Sequence, residues 1–462
     1  MAEHDLKSES VGLWELVFQS MGQITPITIL SGLILSIVGF SMGAAPLVML
    51  VSMLAVLLSA NTIYQFSNRI AHAGGYYAYV ADGMGSRAGV FTGLQYLLYQ
   101  VSNLALEYLI VAWGFSKSLS YAFGLQLPIW TGVVWISLMT ALSYVLMIRG
   151  VKPSLKLALI LGGVQILFIF ALSGFVIARA PDVSFAPFIP SSSPNGWQGV
   201  FTGFIAGGYL AFAGYGSVVP MGEEAKAPKE TIRKAVLYAV LLAGVTFVVG
   251  SYAMVVGYGM SNLSTFTSQV IPGLIVAKRF TGALGAYAFI LVGTFLSTYG
   301  TVIGMGTPLS RVIFSLARDG VIPGSLSKVR SGSPVAAINA TYVISVSAAL
   351  LAGLTFYKLF GFYTGIYYAW AIFGILATLA NLLIHILSNA SLSTLSVRNR
   401  KRWLAWLIAP SATTVIMIIA FYFSLLGLGW PFLLAPVIFV AWSAISAIWA
   451  LRSKQASVVQ NA

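Results

Sequence analysis

The chain has no cysteine, and only 8% of its 462 residues are charged. The first absence excludes disulfides and thiolate-held metal centres. The second excludes a water-soluble globule, which needs about a quarter of its residues charged to cover its surface. Histidine is scarce too, with only His4, His72 and His385, scattered along the chain. Long polar stretches are also missing. The longest one expected outside the hydrophobic runs is RAPDVSFAPFIPSSSPNGWQG, too short and too rich in Pro, Ser and Gly to form a catalytic or binding domain. The opening MAEHDLKSESVG lacks the basic region and cleavage site of a signal peptide, so the first apolar run is expected to direct insertion itself.

What the chain has is hydrophobicity, at 58% of residues and a mean hydropathy of +0.90. Apolar runs of about 20 residues recur from end to end, each able to cross about 30 Å of hydrocarbon as a helix. They are too long and too uniform for barrel strands. The expectation is an all-α integral membrane protein with spans at 13–40, 44–66, 88–121, 129–148, 154–178, 199–220, 234–257, 281–310, 334–356, 359–387, 403–425 and 430–451. With both termini inside, only Lys117, Arg179, Lys278, Arg279 and Lys358 of the 25 Lys and Arg fall outside. That asymmetry follows the positive-inside rule. It accounts for the net charge of +14 without any nucleic acid. The reading is a multi-pass cell-membrane protein with cytoplasmic tails at 1–12 and 452–462, membrane lipid as its surroundings, and function as a monomer.

Two spans are interrupted in comparable ways. The first reads ELVFQSMGQITPITILSGLIL, with Ser20, Met21, Gly22, Gln23, Thr25 and Pro26 inside an apolar run. The sixth reads TGFIAGGYLAFAGYGSVV, with glycines at 207, 208, 214 and 216. If each half holds five spans, the two interruptions occupy matching positions. Such pairs point to transporters whose sites are built from broken helices. Small residues also serve close helix packing, and the polar Gln23 and Thr25 favour the functional reading. Glu107 lies deep in the third span and Gln165 deep in the fifth. A carboxylate at that depth suits either a proton carrier or a structural hydrogen bond between helices. Arg311 and His385 lie near the cytoplasmic ends of the eighth and tenth spans, where they could snorkel.

Five segments in order over residues 65–337 resemble the amino acid–polyamine–organocation transporters with the LeuT-type fold. They are QFSNRIAHAGGYYAYVADGMG, LEYLIVAWGFS, PFIPSSSPNGWQGVFTGFIAGGYLAFAGYGS, GEEAKAPKETI and SRVIFSLARDGVIPGSLSKVRSGSPVAAI. The resemblance implies five helices (13–178), an inverted second set of five (199–387) and two peripheral helices (403–451), with the first and sixth discontinuous. It implies an amino acid or amine held at the two breaks. Backbone groups would come from Ser20, Met21 and Gly22, and from Ala213, Gly214 and Tyr215. Gln23 and Thr25 stand beside the first break. Tyr209, Leu210 and Phe212 become pocket or gate side chains.

Two departures matter. Many relatives carry a carboxylate in F-x-G-F-E, where this chain has Gly216. Proton-coupled relatives can carry a lysine fifteen residues after the glycine at 150, where this chain has Gln165. Glu107 is retained as the expected proton site, beside a neutral partner. Sodium is the alternative ion, with Ser297 and Thr301 on one helical face as oxygen ligands. No other cofactor and no metal centre is expected. Glu223 and Glu224, in a loop of alternating charge, either cap the span or pair with Arg69 or Arg318 as an inner gate.

A secondary amino acid transporter, by proton symport or exchange, is the leading reading, with sodium coupling or polyamine and cationic-amine transport as alternatives. A membrane-embedded enzyme would need convergent acid, base and nucleophile groups that the spans lack. A channel would show polar rings or a repeated filter sequence. With no deep charge apart from Glu107, the substrate is expected to be a neutral, small or apolar amino acid.

Overall fold

The computed structural model describes residues 6, 10–125, 127–128, 130–181, 183–269, 271–399 and 403–453. Helix α1 (Leu13–Ile24) is followed by the single turn α2 (Pro26–Thr28), a π-helical turn Ile29–Leu33 and α3 (Ile34–Ser41). Next come α4 (Ala45–Ser67), α5 (Tyr76–Met84), α6 (Ser86–Phe123), α7 (Trp130–Ile148) and α8 (Val151–Ile177). The second half holds α9 (Gly196–Gly203), α10 (Pro228–Tyr258), α11 (Pro272–Ile290), α12 (Ser297–Arg318), α13 (Val335–Phe360), α14 (Phe362–Asn399), α15 (Ala409–Phe423) and α16 (Leu434–Arg452). Among the described residues the extended pairing is confined to two isolated bridges, Val11 with Ala225 and Arg330 with Ser333.

The fold is inside-out relative to a soluble one. Leu284 and Leu351 are 80% and 69% exposed, while Gln100, Thr246 and Arg311 are buried. Water would not tolerate that apolar surface, but hydrocarbon does. Nine helical runs among the described residues are long and apolar enough to cross a membrane, and one of them, Leu13–Ser67, covers two of the expected spans. The protein is therefore an all-α integral membrane protein.

Some boundaries differ from expectation. The helix expected from residue 281 starts at Pro272, and its backbone leaves helical geometry at Gly282. Lys278 and Arg279 thus sit on a separate piece before Gly282. Helix α14 runs to Asn399, past the expected end at 387, because the intervening SNASLSTLSVRN contains no proline or glycine to stop it. Helix α1 packs between α8, α10 and α12. It crosses α12 closely, where a Cβ at Gly22 would lie 2.9 Å from the Gly300 carbonyl. Helices α4 and α10 pack along each other, as do α6 and α14. This arrangement brings the two interrupted segments together at the centre.

Candidate functional site

The first interruption falls at Thr25, whose backbone is left-handed at φ 51°. Pro26 causes it, because proline disfavours helical geometry in the residue before it and has no N–H to donate. Ser20, Met21 and Gly22, expected to offer N–H groups or carbonyls, therefore lie in regular helix α1, with Gly22 in its last turn. Two carbonyls are freed instead. Gly22 would normally bond to the N–H that Pro26 lacks. Gln23 would bond to the Ile27 N–H, which donates to Gln165 Oε1 at 3.3 Å. Both carbonyls lie at the negative end of α1, a setting that favours a cation.

The second interruption is wider. Helix α9 passes into a π turn Phe204–Gly208 and a short 3-10 turn Leu210–Phe212, then leaves helical geometry at Ala213. Gly214 has φ 110°, which a side chain would strain. Only the 3-10 turn Val219–Met221 follows before the loop. Among the described residues the N–H groups of Gly214 and Gly216 find no carbonyl partner. The two breaks touch, since a Cβ on Gly214 would lie 2.7 Å from Gln23 Cγ. Ser20 Oγ adds a bond to the Tyr215 carbonyl at 3.0 Å.

Around this junction lies a buried, uncharged polar shell. Gln23 donates to the Tyr99 hydroxyl at 2.9 Å and exchanges amide bonds with Gln100, at 3.1 Å each way. Gln100 also donates to the Tyr96 hydroxyl at 2.9 Å. Tyr209 and Ser59 share a hydroxyl contact of 2.8 Å. Phe212 meets Phe247 edge-on, and Leu210 is half-buried beside it. Tyr215 stacks on His385, with its hydroxyl 3.5 Å from Nδ1. Tyr76 meets the same imidazole edge-on, and a Cβ on residue 216 would overlap the Tyr76 hydroxyl. That hydroxyl takes up the space a side chain at 216 would need, so the glycine there is a steric requirement.

The candidate coupling residues are held differently. Glu107 is 3% exposed. It shares a face of α6 with Gln100 and Asn103, by the helical spacing of three, four and seven. No partner for its carboxylate is found among the described residues. Gln165 supports the broken backbone of the first span as described above. Ser297 Oγ is 3.3 Å from Thr28 Oγ1, across from the π turn, and Thr301 spends its hydroxyl proton on the Ser297 carbonyl at 2.8 Å.

At the basic end, Glu224 and Arg311 form a bidentate ion pair, 2.9 and 3.0 Å, with side chains 0% and 1% exposed. Arg311 therefore does not snorkel, because its partner on the loop after the second break draws it inward. His385 does not snorkel either, since it is 7% exposed between Tyr76 and Tyr215. Glu223 pairs with Arg318 at 2.7 Å and accepts the Ala73 N–H at 2.8 Å. Arg69, expected to reach the same loop, instead pairs at 3.2 Å with Asp82 of α5, the helix that its own loop leads into. Burial alone would raise the Glu223 carboxyl, but the Arg318 guanidinium, His72 and the Ala73 N–H hold it below the usual range. The N-terminal segment joins this closure: the Ser10 and Val11 N–H groups donate to the Glu224 carbonyl at 3.0 and 3.1 Å.

Sequence reasoning missed Gln100, Tyr76, Thr28, the place of His385 between two tyrosines and the Glu224–Arg311 pair. Gln100, a polar residue deep in an apolar span, carries the same signal that singled out Gln165. The others are ordinary residues whose pairing depends on distant segments.

The family model described as "Amino acid permease" matches residues 15–454. The chain is 25% identical over 369 residues to the branched-chain amino acid permease BcaP of Bacillus subtilis (strain 168), covering 76% of each chain. It is 26% identical over 200 residues to the BcaP protein of Lactococcus lactis subsp. cremoris (strain MG1363), covering 42% of each. Similarity extends to the methylthioribose transporter of Bacillus subtilis (strain 168), 24% over 330 residues, covering 67% of this chain and 68% of that one.

Proposed function

The chain belongs to the amino acid permease family, and from that we propose a secondary transporter that moves a neutral, apolar amino acid across the cell membrane by alternating access. The observation that carries this reading is the junction of the two interrupted segments. Carbonyls of Gly22 and Gln23 end one helix there, and N–H groups of Gly214 and Gly216, without a carbonyl partner among the described residues, lie at the other break. A zwitterion matches that layout, with its ammonium on the carbonyls and its carboxylate on the N–H groups. The surrounding shell is aromatic and amide-bearing but uncharged, which favours a side chain without charge. The names of the branched-chain permease relatives agree with this.

In this reading the chain has twelve spans, arranged as five, an inverted five and two peripheral helices. The basic end is cytoplasmic, and the protein acts as a monomer in lipid. The Glu224–Arg311 and Glu223–Arg318 pairs close the inner gate and must part for release. Glu107 carries the coupling proton, and Gln165 supports the break without titrating. A cationic amine is the second reading. It is favoured by the tyrosines 96, 99, 209 and 215 near the freed carbonyls, since ring faces and carbonyls both attract cations. Sodium held near Thr28 and Ser297 is the alternative coupling.

The test is uptake of labelled leucine and putrescine into proteoliposomes under an imposed pH or sodium gradient. Leucine accumulation driven by inward protons is expected. With Glu107→Gln, exchange should persist while accumulation on the pH gradient is lost. Uptake of neither compound under any gradient would overturn the reading.

A further inference from the structure

His72 lies in the loop between α4 and α5 and is 7% exposed. Its Nδ1 lies 3.0 Å from the Gly74 nitrogen, and its Nε2 lies 3.1 Å from Arg318 Nη2. Both ring nitrogens thus face donors. A neutral imidazole has one lone pair to offer them, and an imidazolium has none. The same Arg318 holds Glu223, on the loop that follows the second break. We propose that His72 is a positioning residue for the inner gate: neutral, it steadies Arg318 against Glu223, and protonated, it releases that clamp, so that acid on the basic side opens this face. The proposal rests on the transport reading, because it concerns the gate of the same site.

The groups facing the ring are few. Tyr77 at the start of α5 meets it edge-on at 6.4 Å between centroids. Arg318 and Asp319 approach from the end of α12, and Glu223 from the loop. Arg318 opposes a charged ring, while Glu223 and Asp319 attract one. Burial, with Arg318, outweighs the two carboxylates and lowers His72 from its ordinary value. The closed gate therefore loses stability as pH falls through the ordinary histidine value of about 6.5 towards the lowered one. Once charged, the ring has a new partner within the cluster. Asp319, beside the Tyr77 hydroxyl, has its Oδ2 buried with no hydrogen-bond partner among the described residues, and Glu223 can trade Arg318 for the imidazolium. Either move leaves Arg318 without its clamp.

The chain's lack of cysteine makes the test direct. Ser217→Cys places one thiol between the second break and the charged loop, at a position 3% exposed. Its labelling by a methanethiosulfonate reagent from the basic side reports opening of that face and needs no substrate. The rate is measured in the His72 protein and in His72→Gln, which keeps an acceptor for Arg318 but does not titrate. The ratio of the two rates, which cancels the thiol's own titration, is expected to rise severalfold from pH 7.5 to 5.5. A ratio constant with pH overturns the proposal. Glu223→Gln provides a second readout, with labelling expected to be fast at both pH values. If that variant keeps the pH slope of the parent, His72 does not act through the Arg318 clamp. Leucine uptake is measured separately, so failure here leaves the transport reading standing.

Discussion

At the scale of single residues, the Glu224–Arg311 pair commits two charges to the interior. Two charges with 0% and 1% exposure are held only by each other and by nearby polar groups, including Ser310, which accepts from Arg311 at 2.9 Å. Removing one partner leaves the other buried and unpaired, which costs about 3–5 kcal/mol. Glu224→Gln and Arg311→Met should each lower the thermal midpoint in detergent markedly. The double variant Glu224→Leu with Arg311→Met should recover part of the loss, because no charge is then stranded. A double variant no more stable than the worse single would show that the pair's geometry, and not its charge, matters. Neither residue was singled out from sequence for this pairing. Glu224 reads as a loop charge and Arg311 as a span-end charge, and only the return of the loop against α12 joins them.

At the scale of elements, the first break needs both a local cause and a distant support. Pro26 explains why α1 stops, and that is legible in the sequence. Proline also strands the Ile27 N–H, and α8 supplies the acceptor through Gln165. Gln165→Leu should therefore cost about 1–3 kcal/mol, the penalty of an unsatisfied buried donor. It should also weaken leucine binding, because the broken backbone that presents the Gln23 carbonyl then loses its support from α8. Gln165→Glu keeps the acceptor and should bind better than the leucine variant. Thermal unfolding and a binding isotherm on the three proteins decide it, and equal affinities would exclude this role for Gln165. The second break is legible as a glycine-rich stretch, but its unwound inner half is not. Nothing in VVPMGEE forbids a helix apart from Pro220, and the chain leaves helical form there to carry Glu223 and Glu224 to their arginines.

At the scale of the whole molecule, acid should act on the basic end in two separate windows. Both His72 and Glu223 have lowered values in the fold. The folded state disfavours protonated His72, so stability falls as pH drops below about 6.5, the ordinary histidine value. The Glu223 contribution is complete above the ordinary glutamate value of about 4.3 and is lost only as pH falls further. Thermal unfolding midpoints from pH 8 to 4 should therefore show a first decline near 6.5 that is absent in His72→Gln. A second decline, at lower pH, should be absent in Glu223→Gln. One common decline in all three proteins would mean that groups elsewhere dominate.

The sequence by itself determined the class of the molecule and the places where its helices fail. Spans follow from runs of apolar residues as long as a bilayer is thick, and breaks follow from Pro26 and from the glycines near 214, all through interactions within a few residues. Tertiary structure decided which freed groups stay free. It gave the Ile27 N–H to Gln165, put the Tyr76 hydroxyl where a side chain at 216 would stand, turned Arg69 to Asp82 and brought Arg311 to Glu224. Each of these pairings joins segments whose approach depends on how the helices pack, and a hydrogen bond or ion pair acts over a few ångströms regardless of separation along the chain. No local pattern encodes that distance.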